Sequence, residues 1–170
     1  RLRGVTQTNK YGYVATRQDV LRHKSGDMGE AIFQVYYGIP DKCVFDGEYD
    51  YNFKGLKIEI TSSTCSVPPR MNWEFWINSP NFNKPHKQRC DMYVIIRILV
   101  DEENSFTGTA YIIGWIPQKE FWKIAEFAPK GSSRKMGRGL VKLKKSDAYI
   151  AYFKNLYDIS LFDEHCILNN

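Results

Sequence analysis

The stretch Tyr49-Asp50-Tyr51-Asn52-Phe53-Lys54-Gly55-Leu56-Lys57-Ile58-Glu59-Ile60-Thr61 decides how this chain is read. Two segments, Glu48–Phe53 and Leu56–Ser62, flank Lys54-Gly55 and read as a hairpin about that pair. In the second segment Leu56, Ile58 and Ile60 face one way. Lys57, Glu59 and Thr61 face the other, because side chains alternate along a strand. Folding about Lys54-Gly55 brings Asp50 and Glu59 close across the two strands. Opposed carboxylates repel, and a divalent cation between them turns that cost into binding. The same acids also suit the wet face of a solvated hairpin edge, and spacing alone does not separate the two readings.

Upstream, Ser25-Gly26-Asp27 reads as a helix start. Met28, Ala31, Ile32, Val35 and Tyr36 recur at helical spacing, and Gly38-Ile39-Pro40 ends the helix. Glu30 and Gln34 lie one turn apart on another side, beside Phe33 and Tyr37. Such a helix is expected to be buried nearly all round. A glutamate on it needs a cation or a hydrogen bond. Glu30, Asp50 and Glu59 are thus candidate oxygen ligands for a hard divalent cation, which polarises a phosphodiester and activates water for hydrolysis.

Downstream, Asn72–Ile77 reads as a short aromatic strand. Asp91–Val100 is a β-branched run suited to a central strand. Thr107–Trp115 is a further strand, and Pro117 opens a short helix over Gln118–Phe127. Lys130–Lys145 is glycine-rich and basic with little regular pattern, and Ala148–Phe153 is a last strand. Arg1–Lys24 reads as a basic arm or, near Arg17–Arg22, a short helix. Residues 25–170 are expected to form one α/β domain with a central mixed β-sheet flanked by helices.

The chain has 170 residues and a formal net charge of +5, which favours an anionic partner. No run is long and apolar enough to span a bilayer: the longest, near Tyr93–Val100, is interrupted by Arg97. No signal peptide is legible at Arg1-Leu2-Arg3, and the missing initiator Met points to a trimmed chain. Cys43, Cys65, Cys90 and Cys166 form no Cys-x-x-Cys pair and read as reduced, buried thiols of a cytoplasmic protein. His23, His86 and His165 are unclustered, which argues against a histidine-centred site. Trp73, Trp76, Trp115 and Trp122 read as core or subunit contacts.

The order of these elements resembles the PD-(D/E)XK nuclease superfamily, the restriction-endonuclease-like fold, from about Ser25 to Phe127. Glu30 in Gly29-Glu30-Ala31-Ile32 matches the helical glutamate of that family. Asp50 matches its aspartate, and Glu59-Ile60-Thr61 stands where its (D/E)-x-K tripeptide falls. Asp91-Met92-Tyr93-Val94-Ile95-Ile96 and Tyr111–Pro117 look like its later core strands. The resemblance implies a Mg²⁺- or Mn²⁺-dependent DNA endonuclease of phage, mobile-element, restriction or repair type. Asp50, Glu59 and the Ile60 carbonyl would be ligands, with Glu30 holding the ion directly or through water. One departure stands out: the lysine of the tripeptide is Thr61 here. Either Thr61 positions water itself, or Lys57, Lys84 or Lys87 supplies the charge, or catalysis is lost and binding remains.

Lys130, Arg134, Lys135, Arg138 and Lys142 lie in a segment free of acids, with glycines that let backbone approach a phosphate. With Lys84 and Arg89 they are the candidate DNA contacts. Cutting both strands needs two sites or two visits, so a homodimer is expected. The rival reading is a non-catalytic nucleic-acid-binding module on the same fold.

Overall fold

The computed structural model describes residues 17–39, 49–78, 90–136, 139–143 and 147–163. At its centre is a mixed sheet of four strands. These are β1 (Tyr51–Phe53), β2 (Leu56–Cys65), β4 (Met92–Val100) and β5 (Phe106–Pro117), in the order β1-β2-β4-β5. The hairpin β1–β2 turns through Lys54 and Gly55, both at positive φ (48° and 78°), as the tight turn requires. Tyr51 pairs with Ile58 and Phe53 with Leu56. β4 runs parallel to β2, with Glu59 opposite Tyr93 and Ser63 opposite Arg97, and β5 returns antiparallel to β4. A parallel pair needs a crossover. Here the connection from β2 to β4 includes β3 (Glu74–Asn78), a strand of a different sheet.

Helix α1 (Arg17–Tyr37) covers one face of the central sheet. It packs Phe33 against Ile58, Ile60, Met92, Val94, Ile96 and Ile98, joined by Trp115 and by Phe162 from the C-terminal segment. Among the described residues no second long helix covers the other face. Tyr93, Ile95 and Ile116 pack against Phe75, Ile77 and Ala151 of a second sheet and against Phe121 of the short α2 (Gln118–Ile124). That sheet joins β3, β9 (Ala148–Tyr152) and β6 (Glu126–Ala128) in the order β3-β9-β6. The expected α/β fold with a central mixed sheet is present, with α1 on one face and the short α2 packed beside a second sheet on the other. β4 lies between two cores and is buried along nearly its whole length, which explains its continuous apolar run.

Further corrections concern element boundaries. The helix does not start at Ser25; it runs unbroken from Arg17, because the polar Ser25 is a docking residue rather than a cap. Its backbone carbonyl accepts a 2.7 Å hydrogen bond from Ser62 Oγ. The buried stripe of α1 is Ser25, Gly29 and Phe33, four residues apart, whereas Val35 and Tyr36 are 82% and 58% exposed. The helix is therefore not buried all round. The second helix ends at Ile124, and Phe127 lies in β6. The basic segment after Lys130 is not irregular but contains a hairpin, β7 (Ser133–Met136) and β8 (Gly139–Lys142).

Gly29 shows why α1 sits where it does. A Cβ there would stand 2.4 Å from Ser62 Cβ and 2.6 Å from Ser62 Oγ, so only glycine lets the helix approach β2 this closely. Gly29→Ala is expected to lower stability by roughly 2 kcal/mol in urea unfolding, since overpacking outweighs the gain in helix propensity. Gly26→Ala, with no atom within 4 Å of the added Cβ, should stabilise by up to about 1 kcal/mol. Equal effects at the two glycines would refute the close-approach account.

Candidate active site

The three acids singled out in the sequence lie near one another beside the first half of β2, next to the point where its pairing with β1 stops. β1 pairs only with Leu56–Ile58, and just before it the chain bends so that Asp50 Oδ2 accepts a 2.6 Å hydrogen bond from the amide of Ile60. The Asp50 amide donates to the carbonyl of Ile58 at 2.9 Å. Asp50 is thereby fixed beside Glu59 by the backbone of β2 itself. Glu30 follows Gly29, and its backbone carbonyl accepts a 3.0 Å hydrogen bond from Tyr51 Oη. The close helix approach that Gly29 permits thus also places Glu30 beside the β1–β2 hairpin.

The electrostatics follow from that placement. Burial first, then the charge of Asp50, then that of Glu30, push the Glu59 carboxyl from its ordinary 4.5 up to about 8. All three influences act in one direction, so at neutral pH without a cation Glu59 mostly keeps its proton. The wall behind it is of low polarity. Tyr93 stands opposite Glu59 in the β2–β4 pair and is fully buried, and Cys90 is buried next to it. Tyr93 donates a hydrogen bond to the Cys90 sulfur and accepts one from the Gln118 side chain. Burial, reinforced by the charge of Glu59, pushes the Cys90 thiol up to about 12, and burial raises the Tyr93 phenol well above its ordinary value. Both groups stay neutral.

In the sequence Cys90 stood out only as a buried thiol, and Tyr93 and Gln118 were not singled out as site residues. The alternation of β4 placed Tyr93 on a face, but only the parallel register sets it against Glu59. Asp91 fixes that register: its Oδ2 accepts from the Lys57 amide at 2.8 Å, and its own amide donates to the Lys57 carbonyl at 2.7 Å.

Thr61 lies two residues beyond Glu59 on the same side of β2, half-buried. Lys57 lies two residues before it, with Nζ 5.3 Å from the centre of the Tyr49 ring. Lys84, Lys87 and Arg89 fall outside the described residues, although Arg89 directly precedes Cys90 in sequence. Arg138 also falls outside them, and Lys135 contributes only its place in β7.

The described basic residues of the hairpin segment do not join the acids. Leu143, just after β8, packs with Trp76, Ala128, Ala148 and Ile150, on the face of the second sheet turned away from Tyr93 and Ile95. Arg134 lies 3.7 Å from Glu126 of β6, and Lys130 and Lys142 are exposed. The second sheet, with stacked sheets about 10 Å apart, separates this basic face from the acid cluster.

The donor set is oxygen-rich: three carboxylates and the Ile60 carbonyl. That chemistry suits Mg²⁺ or Mn²⁺. Among the described residues, no three acidic, histidine or cysteine side chains already surround one point at ligand distance. Holding an ion at the cluster therefore calls for side-chain rotation and loss of the Glu59 proton.

The chain matches no family model, no curated protein and no solved structure. The site must be judged on its own chemistry. No helix among the described residues is long and apolar enough to cross a membrane. Cys65 and Cys90 are free thiols, Cys65 half-buried and Cys90 buried. Of the four tryptophans, Trp115 is buried in the first core, and Trp73, Trp76 and Trp122 are half-buried against the other two cores.

Proposed function

We propose that this chain is a divalent-cation-dependent endonuclease that hydrolyses DNA phosphodiesters at the Glu30–Asp50–Glu59 cluster. The observation that carries the reading is the forced proximity of three carboxylates at a half-buried strand position. Such a cluster is costly by itself and becomes favourable when a cation replaces the Glu59 proton. The order of acids along the chain, with the resemblance it creates, supports the same reading.

Asp50 and Glu59, with the Ile60 carbonyl, would hold Mg²⁺ or Mn²⁺, and Glu30 would join them directly or through water. When bound, the ion polarises the phosphodiester and lowers the pKa of water. The remaining chemistry belongs to the chain. Asp50 is pre-oriented by the Ile60 amide, so little ordering is left to be done on binding. Tyr93 and Cys90 keep bulk water from the inner side of Glu59, which strengthens its electrostatic coupling to whatever sits in front. Thr61 presents a hydroxyl on the reacting side of β2 and can orient water by hydrogen bonding. Lys57, the described lysine on that side of the strand, would supply positive charge only after leaving the Tyr49 ring. DNA is the proposed partner on grounds of net charge, and a homodimer would let two sites address two strands.

Nicking of supercoiled plasmid tests the proposal. Cleavage is expected in magnesium acetate and none in EDTA. Retention of DNA with no cutting in either Mg²⁺ or Mn²⁺ would favour the non-catalytic binding module instead. That rival draws on Thr61, which carries no charge where the resemblance expects a lysine.

A further inference from the structure

Arg97 is the least expected charge in the fold. It sits in the middle of β4, only 3% exposed, on the side that faces the second sheet. Its NH1 donates to the carbonyl of its own neighbour, Ile96, at 3.1 Å, and its guanidinium carbon lies 4.9 Å from the centre of the Phe153 ring. No carboxylate among the described residues pairs with it. Opposite it in the β2–β4 register is Ser63, whose buried Oγ has no hydrogen-bond partner. Cys65, two residues further along the same side of β2, lies close enough for the guanidinium to act on its thiol, which burial nonetheless raises.

A guanidinium has five N–H donors and no acceptor, and it stays charged at neutral pH. Burial lowers its pKa only to about 10. Burying such a charge without a counter-charge is costly. Its described polar neighbours, the Ser63 hydroxyl and the Cys65 thiol, are neutral and able to donate. The Ile96 carbonyl and the Phe153 ring face supply partial negative charge but no ion. None of these groups, the described neighbours of Arg97, offers an acceptor of full negative charge. β1 covers β2 only as far as Ile58, so it does not screen the strand beside Ser63 and Cys65. Thr64 between them is exposed.

We infer that Arg97, Ser63 and Cys65 form a binding site for a halide-sized inorganic anion, held between β2, β4 and the Phe153 ring. The anion accepts from the Arg97 guanidinium and the Ser63 hydroxyl and neutralises the buried charge. The site is separate from the acid cluster. Ser63 lies four residues beyond Glu59, roughly 13 Å along the strand, and the inference does not rest on nuclease activity.

The test is thermal unfolding of the whole chain in sodium gluconate, sodium chloride and sodium bromide at equal ionic strength and pH. Chloride or bromide should raise Tm, by roughly 5–10 °C at a hundred times the dissociation constant, with gluconate inert. Ser63→Ala should shift the midpoint of the halide response to higher concentration, and Arg97→Met should abolish the response. Crystals of the wild-type chain soaked in bromide should show anomalous density between Arg97 and Ser63 Oγ, which decides the matter even if Arg97→Met does not fold. Identical Tm in the three salts, or bromide-soaked crystals without that density, would overturn the inference and leave water as the partner of Arg97.

Discussion

Replacing Glu59 by glutamine should make the cation-free protein more stable at pH 9 than the wild type, and should remove the cleavage proposed for the cluster. Glutamine keeps the shape of a protonated glutamate but cannot ionise. In the wild type the folded pKa of about 8 lies above the ordinary 4.5. The stabilising proton is therefore retained fully below pH 4.5, and its contribution is lost progressively as pH rises from 4.5 through 8. The advantage of Glu59→Gln should be absent at pH 4, grow between pH 5 and 8, and level off above it. After discounting for the part of the carboxyl that water reaches, it should approach the order of 3 kcal/mol. Urea unfolding across that range measures it. A pH-independent difference would mean that Glu59 is not held against Asp50 and Glu30. Magnesium acetate should add stability to the wild type increasingly between pH 6 and 9, because the ion displaces a proton, and should add little to Glu59→Gln.

Asp50→Asn is expected to fold like the wild type and to lose metal-dependent nicking by at least roughly a hundredfold, since even outer-shell partners of a metal are worth ten to a hundred. The asparagine oxygen can still accept from the Ile60 amide, so the bend before β1 survives; Asp50→Ala loses that bond as well and should be somewhat less stable. Removing the Asp50 charge also takes away the second-largest influence on Glu59, whose pKa must then fall from about 8. Carboxyl NMR of the variant detects this directly. Persistent cleavage by Asp50→Asn would sink the hydrolase proposal, whereas an unchanged Glu59 titration would sink the geometry beneath it.

How far the sequence could be read depended on the range of the interaction. Lys54-Gly55 and the alternation of Leu56–Thr61 are local signals, and the hairpin and the side on which Glu59 stands were legible from them. The apolar run of β4 was equally plain. The face of α1 was legible only in part: Met28 and Ile32 pack against the core. Val35 and Tyr36 have the right spacing for a buried stripe, yet the helix docks through Ser25, Gly29 and Phe33. Small residues leave no mark on an apolar pattern, although they set how close a helix can come. The basic segment Lys130–Lys145 has the composition of a loop, and nothing local reveals that its hairpin belongs to the far side of a second sheet.

The residues alone determined an acid-bearing hairpin, a helix with a glutamate and a basic, mixed α/β chain. Alternation and helical spacing act over a few residues, and they can be read without knowing where the rest of the chain lies. Only the tertiary structure decided that β2 and β4 run parallel with Tyr93 behind Glu59. It alone decided that Asp50 is pinned by the Ile60 amide, that the basic hairpin is a layer away, and that Arg97 is buried opposite Ser63. Those outcomes depend on desolvation and on contacts between distant segments, which come into being only when the layers close on one another.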